Sequence, residues 1–259
     1  MSQPARRALS QNFLVDSRVA HAVVRTAGDQ LDLPTLEIGA GTGALTRLLA
    51  PRCRKLTLHE RDPELVAQLR RRFAQYPRVR CVQGDFLRTQ APRTPFTVVG
   101  NIPYARTSAI VNWCLEANEL RSATLVTQLE YARKRTGEFG TWTRVTVLSW
   151  PEFEWRLVRR VPRHSFRPVP RVDSAILQIR RRSQPLVEPR SLPGYRQLVR
   201  LGFSGRGGGI GPSLRQQLPR NPLHRALAGA GVEPTTPVGL VAPQQWQTVF
   251  HMLRTGGHL

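Results

Sequence analysis

Two clusters of residues in this chain have the types and spacing to do chemistry. The first is Glu37-Ile-Gly39-Ala-Gly41-Thr-Gly43, which ends a short apolar run, Thr35 to Ile38. Glycine tolerates the backbone of a tight turn and lets main chain approach a ligand closely. The spacing is G-x-G-x-G, not the G-x-G-x-x-G of dinucleotide sites, and a lone glycine turn is also an ordinary strand-to-helix connection. Two further acids favour a ligand. Glu60 closes the next apolar run, where a carboxylate can accept both hydroxyls of a ribose. Asp85 closes a third run and is followed by Phe86, an acceptor for an adenine amine beside an aromatic face for its ring. Three acids at the ends of three successive strands fit one adenosine-containing ligand in a shared crevice.

The second cluster is Asn101-Ile102-Pro103-Tyr104, directly after a fourth apolar run. An exocyclic amine on adenine is a poor nucleophile, because its lone pair is delocalised into the ring. An asparagine carbonyl and a neighbouring backbone carbonyl can accept its two N–H bonds. That favours the localised lone pair of a transition state without proton transfer. Tyr104 can stack on such a base once it is flipped out of a nucleic acid. A third candidate is Phe166, within His164-Ser-Phe-Arg-Pro-Val-Pro-Arg-Val-Asp173-Ser174. Two prolines stiffen this stretch, so it can hold the ring against a base. A core aromatic beneath a loop is an equal alternative, and sequence alone leaves both open. Cys53, Cys81 and Cys114 form no Cys-x-x-Cys pair, so neither a disulfide framework nor a metal site is expected.

The elements that must position these residues alternate in kind. Val19, Ala22, Val23 and Ala27 lie at helical spacing. Strands are predicted at 35–38, 55–59, 79–82, 96–99 and 123–129. Helices are predicted at 43–49, at 63–73 behind Pro63, and at about 108–115. This rhythm predicts an α/β fold, a doubly wound, Rossmann-like parallel sheet. Phe153 to Val161 and Ser174 to Arg180 alternate apolar with polar residues, and read as an antiparallel pair closing the sheet. Ser183 to Pro193 is Pro-rich and reads as a linker. The rest, including the glycine run from Gly202 to Gly211, reads as a small helical domain. The expected domains are therefore 1–182 and 183–259.

Charge narrows the partners. The 259 residues hold 39 Lys and Arg against 17 Asp and Glu, a net charge of +22, and nearly all the cations are arginine. Arginine forks onto phosphate and stacks on bases, so a nucleic-acid partner is expected. Between Glu152 and Arg182 nine arginines face three acids: Arg156, Arg159, Arg160, Arg163, Arg167, Arg171, Arg180, Arg181 and Arg182. With Trp155 and Phe166 interleaved, this stretch reads as a phosphate-tracking surface, which Arg133-Lys134-Arg135 can extend. No apolar run is long enough for a membrane helix, and no signal-peptide core follows Met1. A cytoplasmic, monomeric protein with no membrane partner is the expectation.

The motifs resemble a known family. Ser10-Gln-Asn-Phe-Leu-Val-Asp16, Glu37-Ile-Gly-Ala-Gly-Thr-Gly-Ala-Leu-Thr46, Gly84-Asp-Phe86, Gly100-Asn-Ile-Pro-Tyr104 and Phe166-Arg-Pro-Val-Pro-Arg-Val-Asp-Ser174 look like the ribosomal RNA adenine N6-methyltransferases, in order from about residue 5 to residue 180. Two branches share them: the housekeeping small-subunit (16S rRNA) dimethyltransferases, and the Erm group, which methylates 23S rRNA and confers macrolide, lincosamide and streptogramin B resistance. Asn-Ile-Pro-Tyr, Ala132-Arg-Lys-Arg-Thr-Gly137 and Pro151-Glu-Phe-Glu-Trp-Arg156 resemble the Erm group, so 23S rRNA is the favoured partner. The resemblance implies S-adenosylmethionine as cofactor, contacted by Gln11, Asn12, Leu14, Gly39, Gly41, Glu60, Asp85, Phe86 and Asn101. It implies that Asn101, Ile102, Pro103, Tyr104 and Phe166 form the target-adenine site. Leu129-Glu130-Tyr131 departs from the Arg-Glu-Phe frequent in Erm relatives. A nucleic-acid-binding factor without turnover is the alternative on the same fold.

Overall fold

The computed structural model of the chain describes residues 12–205 and 208–259. Contacts divide it into two units. The first is the chain up to Ala132 with Arg156–Arg181, and the second is Arg133–Trp155 with Arg182–Leu259.

The first unit is built on β-branched and leucine-rich strands that bury both faces. After a two-residue strand β1 (Phe13–Leu14), helix α1 (Ser17–Ala27) begins at Asp16, whose carboxylate accepts the Arg18 N–H. The capping side chain satisfies an amide that the helix cannot. Strands β2 (Thr35–Ile38), β3 (Leu56–Glu60), β4 (Val79–Gln83), β5 (Phe96–Asn101) and β6 (Leu120–Gln128) follow. Between them come α2 (Thr46–Leu49), α3 (Pro63–Arg72) and α4 (Thr107–Glu116). Asp62 caps α3, and Pro63 sits in its first turn, where the missing N–H costs nothing.

The sheet continues through β7 (Phe153–Val161) and β9 (Ser174–Arg181), in the order β4-β3-β2-β5-β6-β9-β7. The first five strands pair in parallel, and β9 pairs antiparallel with β6. The doubly wound sheet is as the sequence predicts, and the closing strands β9 and β7 are neighbours. Strand order reverses between β2 and β5, which opens a crevice at their carboxyl ends. A small second ladder joins β1 to β8 (Phe166–Arg167), with Leu14 opposite Phe166.

The second unit is helical. It comprises the second half of α5 (Leu129–Thr136), α6 (Arg144–Ser149), α7 (Leu192–Gly202), α8 (Ile210–Leu214), α9 (Arg220–Gly229) and α10 (Pro243–Thr255). Tyr195, Trp246 and Phe250 form its buried centre, with Phe203 stacked on Trp246. The Tyr195 hydroxyl donates to the Val147 carbonyl at 2.9 Å, which satisfies a buried polar tip. A Cβ at Gly202 would meet the Trp246 ring at 2.2 Å, so only glycine lets helix and indole approach this closely.

Two sequence expectations change here. Residues 133–155, placed before a boundary at 182, belong by contacts with the tail, because Val147 joins the Tyr195 and Trp246 core. The stretch read as a linker ends inside α7, since Leu192 is already buried in that core.

Candidate active site at the switch point of the sheet

The turn after β2 needs its glycines. Gly39, Gly41 and Gly43 have φ of 69°, 55° and 84°, a region that L side chains avoid. A Cβ at Gly39 would lie 3.2 Å from the Asn101 carbonyl oxygen, and one at Gly41 would lie 3.1 Å from the Phe13 ring. The turn is thus pressed between the end of β5 and the first described residues of the chain. Those contacts draw the two sequence motifs to the same crevice.

Glu60, at the end of β3, is buried. Its carboxylate accepts the Gly41 N–H at 2.9 Å, the Arg61 N–H at 2.8 Å and the Asp62 N–H at 3.0 Å. Three backbone donors fix it without a cation, two on Oε1 and one on Oε2, and Oε2 keeps a lone pair for a further donor. Asp85 accepts the Leu87 N–H at 3.1 Å on one oxygen and the Arg106 guanidinium at 2.6 Å on the other. Phe86 also lines the crevice. It is buried, with the His59 ring at 5.2 Å and the Trp113 ring at 4.4 Å between centroids.

Asn101 ends β5, and its Nδ2 donates to the Asn12 carbonyl at 2.8 Å. That acceptor fixes the amide: the NH2 edge must face Asn12, so Oδ1 is the free acceptor. Pro103 and Ile102 carry the chain into a tight turn, with the Pro103 carbonyl accepting from the Arg106 N–H at 2.9 Å. The half-buried Tyr104 shares a 2.6 Å hydrogen bond with the Ser174 hydroxyl. Burial pushes the Tyr104 phenol above its ordinary value; the Ser174 bond opposes this, and the nearby Asp173 adds to it. Tyr104 is therefore neutral, an aromatic surface and not a base.

One crevice brings together Asn12, Leu14, Gly39, Gly41, Glu60, Asp85, Phe86, Asn101, Ile102, Pro103 and Tyr104. Gln11 falls outside the described residues. Phe166 does not line the crevice. It is wholly buried in the core with Leu14, Val126 and Ile176, and only its ladder with Leu14 connects it to the site. Of the two sequence alternatives the core aromatic holds, because alternation along β8 turns Phe166 inward and Arg167 outward.

Two lining residues escape the sequence reading of the site: Phe13 covers Gly41, and Arg106 holds Asp85. Glu37, counted there among the three acids, is wholly buried, and its Oε2 accepts the Thr46 hydroxyl at 2.8 Å. Burial pushes the Glu37 carboxyl up to about 8; the Thr46 bond works against this, and the Glu60 charge adds to it. Among so many arginines, nothing marked Arg106.

The basic stretch is only partly a surface. Arg156, Arg159, Arg163, Arg167, Arg171 and Arg180 are exposed. Arg160 pairs with Asp173 at 2.5 Å and helps hold that carboxyl below its usual range. Arg181 donates to the Leu120 carbonyl, and Arg182 lies over Trp150. Trp155 is buried, with its N–H on Ser149, so it cannot interleave with phosphate contacts. Among the described residues no group of His, Cys, Asp and Glu is arranged to hold a metal ion, and no helix is long and apolar enough to cross a membrane.

Comparison with known proteins agrees with this geometry. The family model for ribosomal RNA adenine dimethylase matches residues 2–255. A Streptomyces fradiae rRNA adenine N-6-methyltransferase is 51% identical over 96% of this chain and 79% of its own length. The mycinamicin-resistance protein MyrB of Micromonospora griseorubida is 38% identical over 97% of this chain and 80% of its own. The crystal structure of the 23S rRNA methyltransferase ErmE superposes with a TM-score of 0.90 at 48% identity, covering 94% of this chain and 100% of that one. The chain belongs to the ribosomal RNA adenine dimethylase family.

Proposed function

We propose that this chain methylates N6 of one adenine in 23S rRNA with S-adenosylmethionine as donor, and that the product resists macrolide, lincosamide and streptogramin B antibiotics. The chain acts as a monomer in the cytoplasm, where its substrate is made. The observation that carries the reading is the single crevice joining Gly39, Glu60 and Asp85 to Asn101 and Tyr104. The identity to relatives named for rRNA adenine methylation, 23S rRNA and mycinamicin resistance supports the choice of substrate.

The residues fit the cofactor. The cradle at Gly39 and Gly41 is one that a Cβ would fill. Glu60 Oε2 has a lone pair for a ribose hydroxyl, and each Asp85 oxygen has one for an adenine amine. When bound, S-adenosylmethionine supplies a methyl group activated on a sulfonium. The protein supplies position and acceptors. Asn101 Oδ1 and a backbone carbonyl of the Ile102-Pro103 turn accept the N–H bonds of the target amine and localise its lone pair. Tyr104, neutral and anchored on Ser174, stacks on the everted base. Exposed Arg163, Arg167 and Arg171 hold phosphates of the strand.

Labelled-methyl transfer to purified 23S and 16S rRNA tests the reading. Label in 23S rRNA alone is expected. Label in 16S rRNA would move the chain to the small-subunit branch, and label in neither would leave a binding factor without turnover.

A further inference from the structure

We infer that Arg106 is a positioning residue for the cofactor's adenine, working through its ion pair with Asp85 across the crevice. The inference rests on the proposed cofactor and concerns a residue outside both motifs. Asp85 follows β4 and Arg106 follows β5, and two strands, β3 and β2, lie between them in the sheet. The 2.6 Å contact therefore spans the crevice and forms part of its wall. Asp85 is only 24% exposed and Arg106 43%, so the pair is partly shielded from water.

The chemistry is one of orientation. A carboxylate on a short side chain can rotate, and a rotated Asp85 offers an exocyclic amine no fixed acceptor. Here the Leu87 N–H holds Oδ1 and the Arg106 guanidinium holds Oδ2. Each oxygen keeps one lone pair, and the plane of the group is set. Arg106 also belongs to the turn that carries Tyr104, through its N–H to the Pro103 carbonyl at 2.9 Å. The residue thus ties the acid that reads adenine to the turn that receives the target base.

The test is calorimetric titration of the full chain with S-adenosylhomocysteine and with S-inosylhomocysteine, which carries an oxygen in place of the adenine amine. Wild type, Arg106→Ala, Arg106→Lys, Asp85→Ala and the double Ala variant are compared. A hydrogen bond to a charged group, discounted for partial exposure, sets the scale: Arg106→Ala should weaken S-adenosylhomocysteine about tenfold and the inosyl ligand less than about twofold. Arg106→Lys should recover part of the loss, and the double variant should bind like Asp85→Ala alone. Equal losses for both ligands, or losses that add in the double variant, would overturn the inference. If wild type binds S-adenosylhomocysteine and Arg106→Ala binds it equally well, the inference alone fails. If wild type binds neither ligand, the cofactor reading fails and carries this inference with it.

Discussion

Replacing Glu37 with Gln should stabilise the protein near neutral pH and flatten the decline of its stability with pH. Glu37 is wholly buried, its carboxyl accepts from Thr46, and burial pushes it from 4.5 up to about 8. A carboxyl raised in the fold binds its proton more tightly there than in the unfolded chain. Its contribution is then fully present below the unfolded value and is lost as pH rises towards the folded one. At about 1.36 kcal/mol per pH decade, the rise from 4.5 to neutrality costs about 3 kcal/mol, and the loss ends near the folded value of about 8. Glutamine keeps an acceptor for the Thr46 hydroxyl and has nothing to ionise. Urea denaturation of both proteins at about pH 5 and about pH 7 measures the difference. The gap between variant and wild type should open by about 2.5 kcal/mol over that interval. A gap that stays constant, or a variant that becomes the less stable one as pH rises, would refute the assignment of a neutral Glu37.

Tyr104→Ala should lower methyl transfer by about 100-fold through lost base stacking. S-adenosylhomocysteine affinity should change less than about twofold, and Tyr104→Phe, which keeps the ring and loses only Ser174, should stay within about tenfold of wild type; loss of cofactor binding in the Ala variant would count against a base platform. Gly202→Ala should cost about 1–3 kcal/mol, because its Cβ would sit 2.2 Å from Trp246. An unchanged melting temperature would show that the helix and indole can separate. RNA affinity should fall steeply with salt, and removing Arg163 and Arg171 together should make the logarithmic slope shallower by about two; filter binding over a salt series reads this, and an unaltered slope would remove these arginines from the phosphate contacts.

What could be read in the chain before its structure follows from which signals are local. The strands at Thr35–Ile38 and Leu56–Glu60 carry leucine or isoleucine at every second position and lead into glycine or end at an acid, so their type and their functional ends are written in adjacent residues. The same holds for Asn101 to Tyr104, a motif carried on one strand end. Phe166 was undecided for a physical reason: only its ladder with Leu14, distant in sequence, determines which way the ring turns. Trp155 was misjudged by its basic neighbours, because strand alternation buries it while Arg156 faces outward. The helix at Arg144–Ser149 is short and follows a stretch broken by Gly137 and Gly140, and its Val147 completes a core supplied by the distant tail. Arg106 and Asp85 meet across two intervening strands, a pairing that no spacing in the sequence announces.

The most direct test is the identity of the methylated nucleoside. Protein and labelled S-adenosylmethionine are incubated with a 23S rRNA fragment containing the target adenine, and with the same fragment carrying guanine there. Complete digestion should place the label in N6-methylated adenosine from the first fragment, with none from the second. Label in any other nucleoside, or equal labelling of both fragments, would contradict a crevice in which Asn101 and Tyr104 present an adenine amine to the donor.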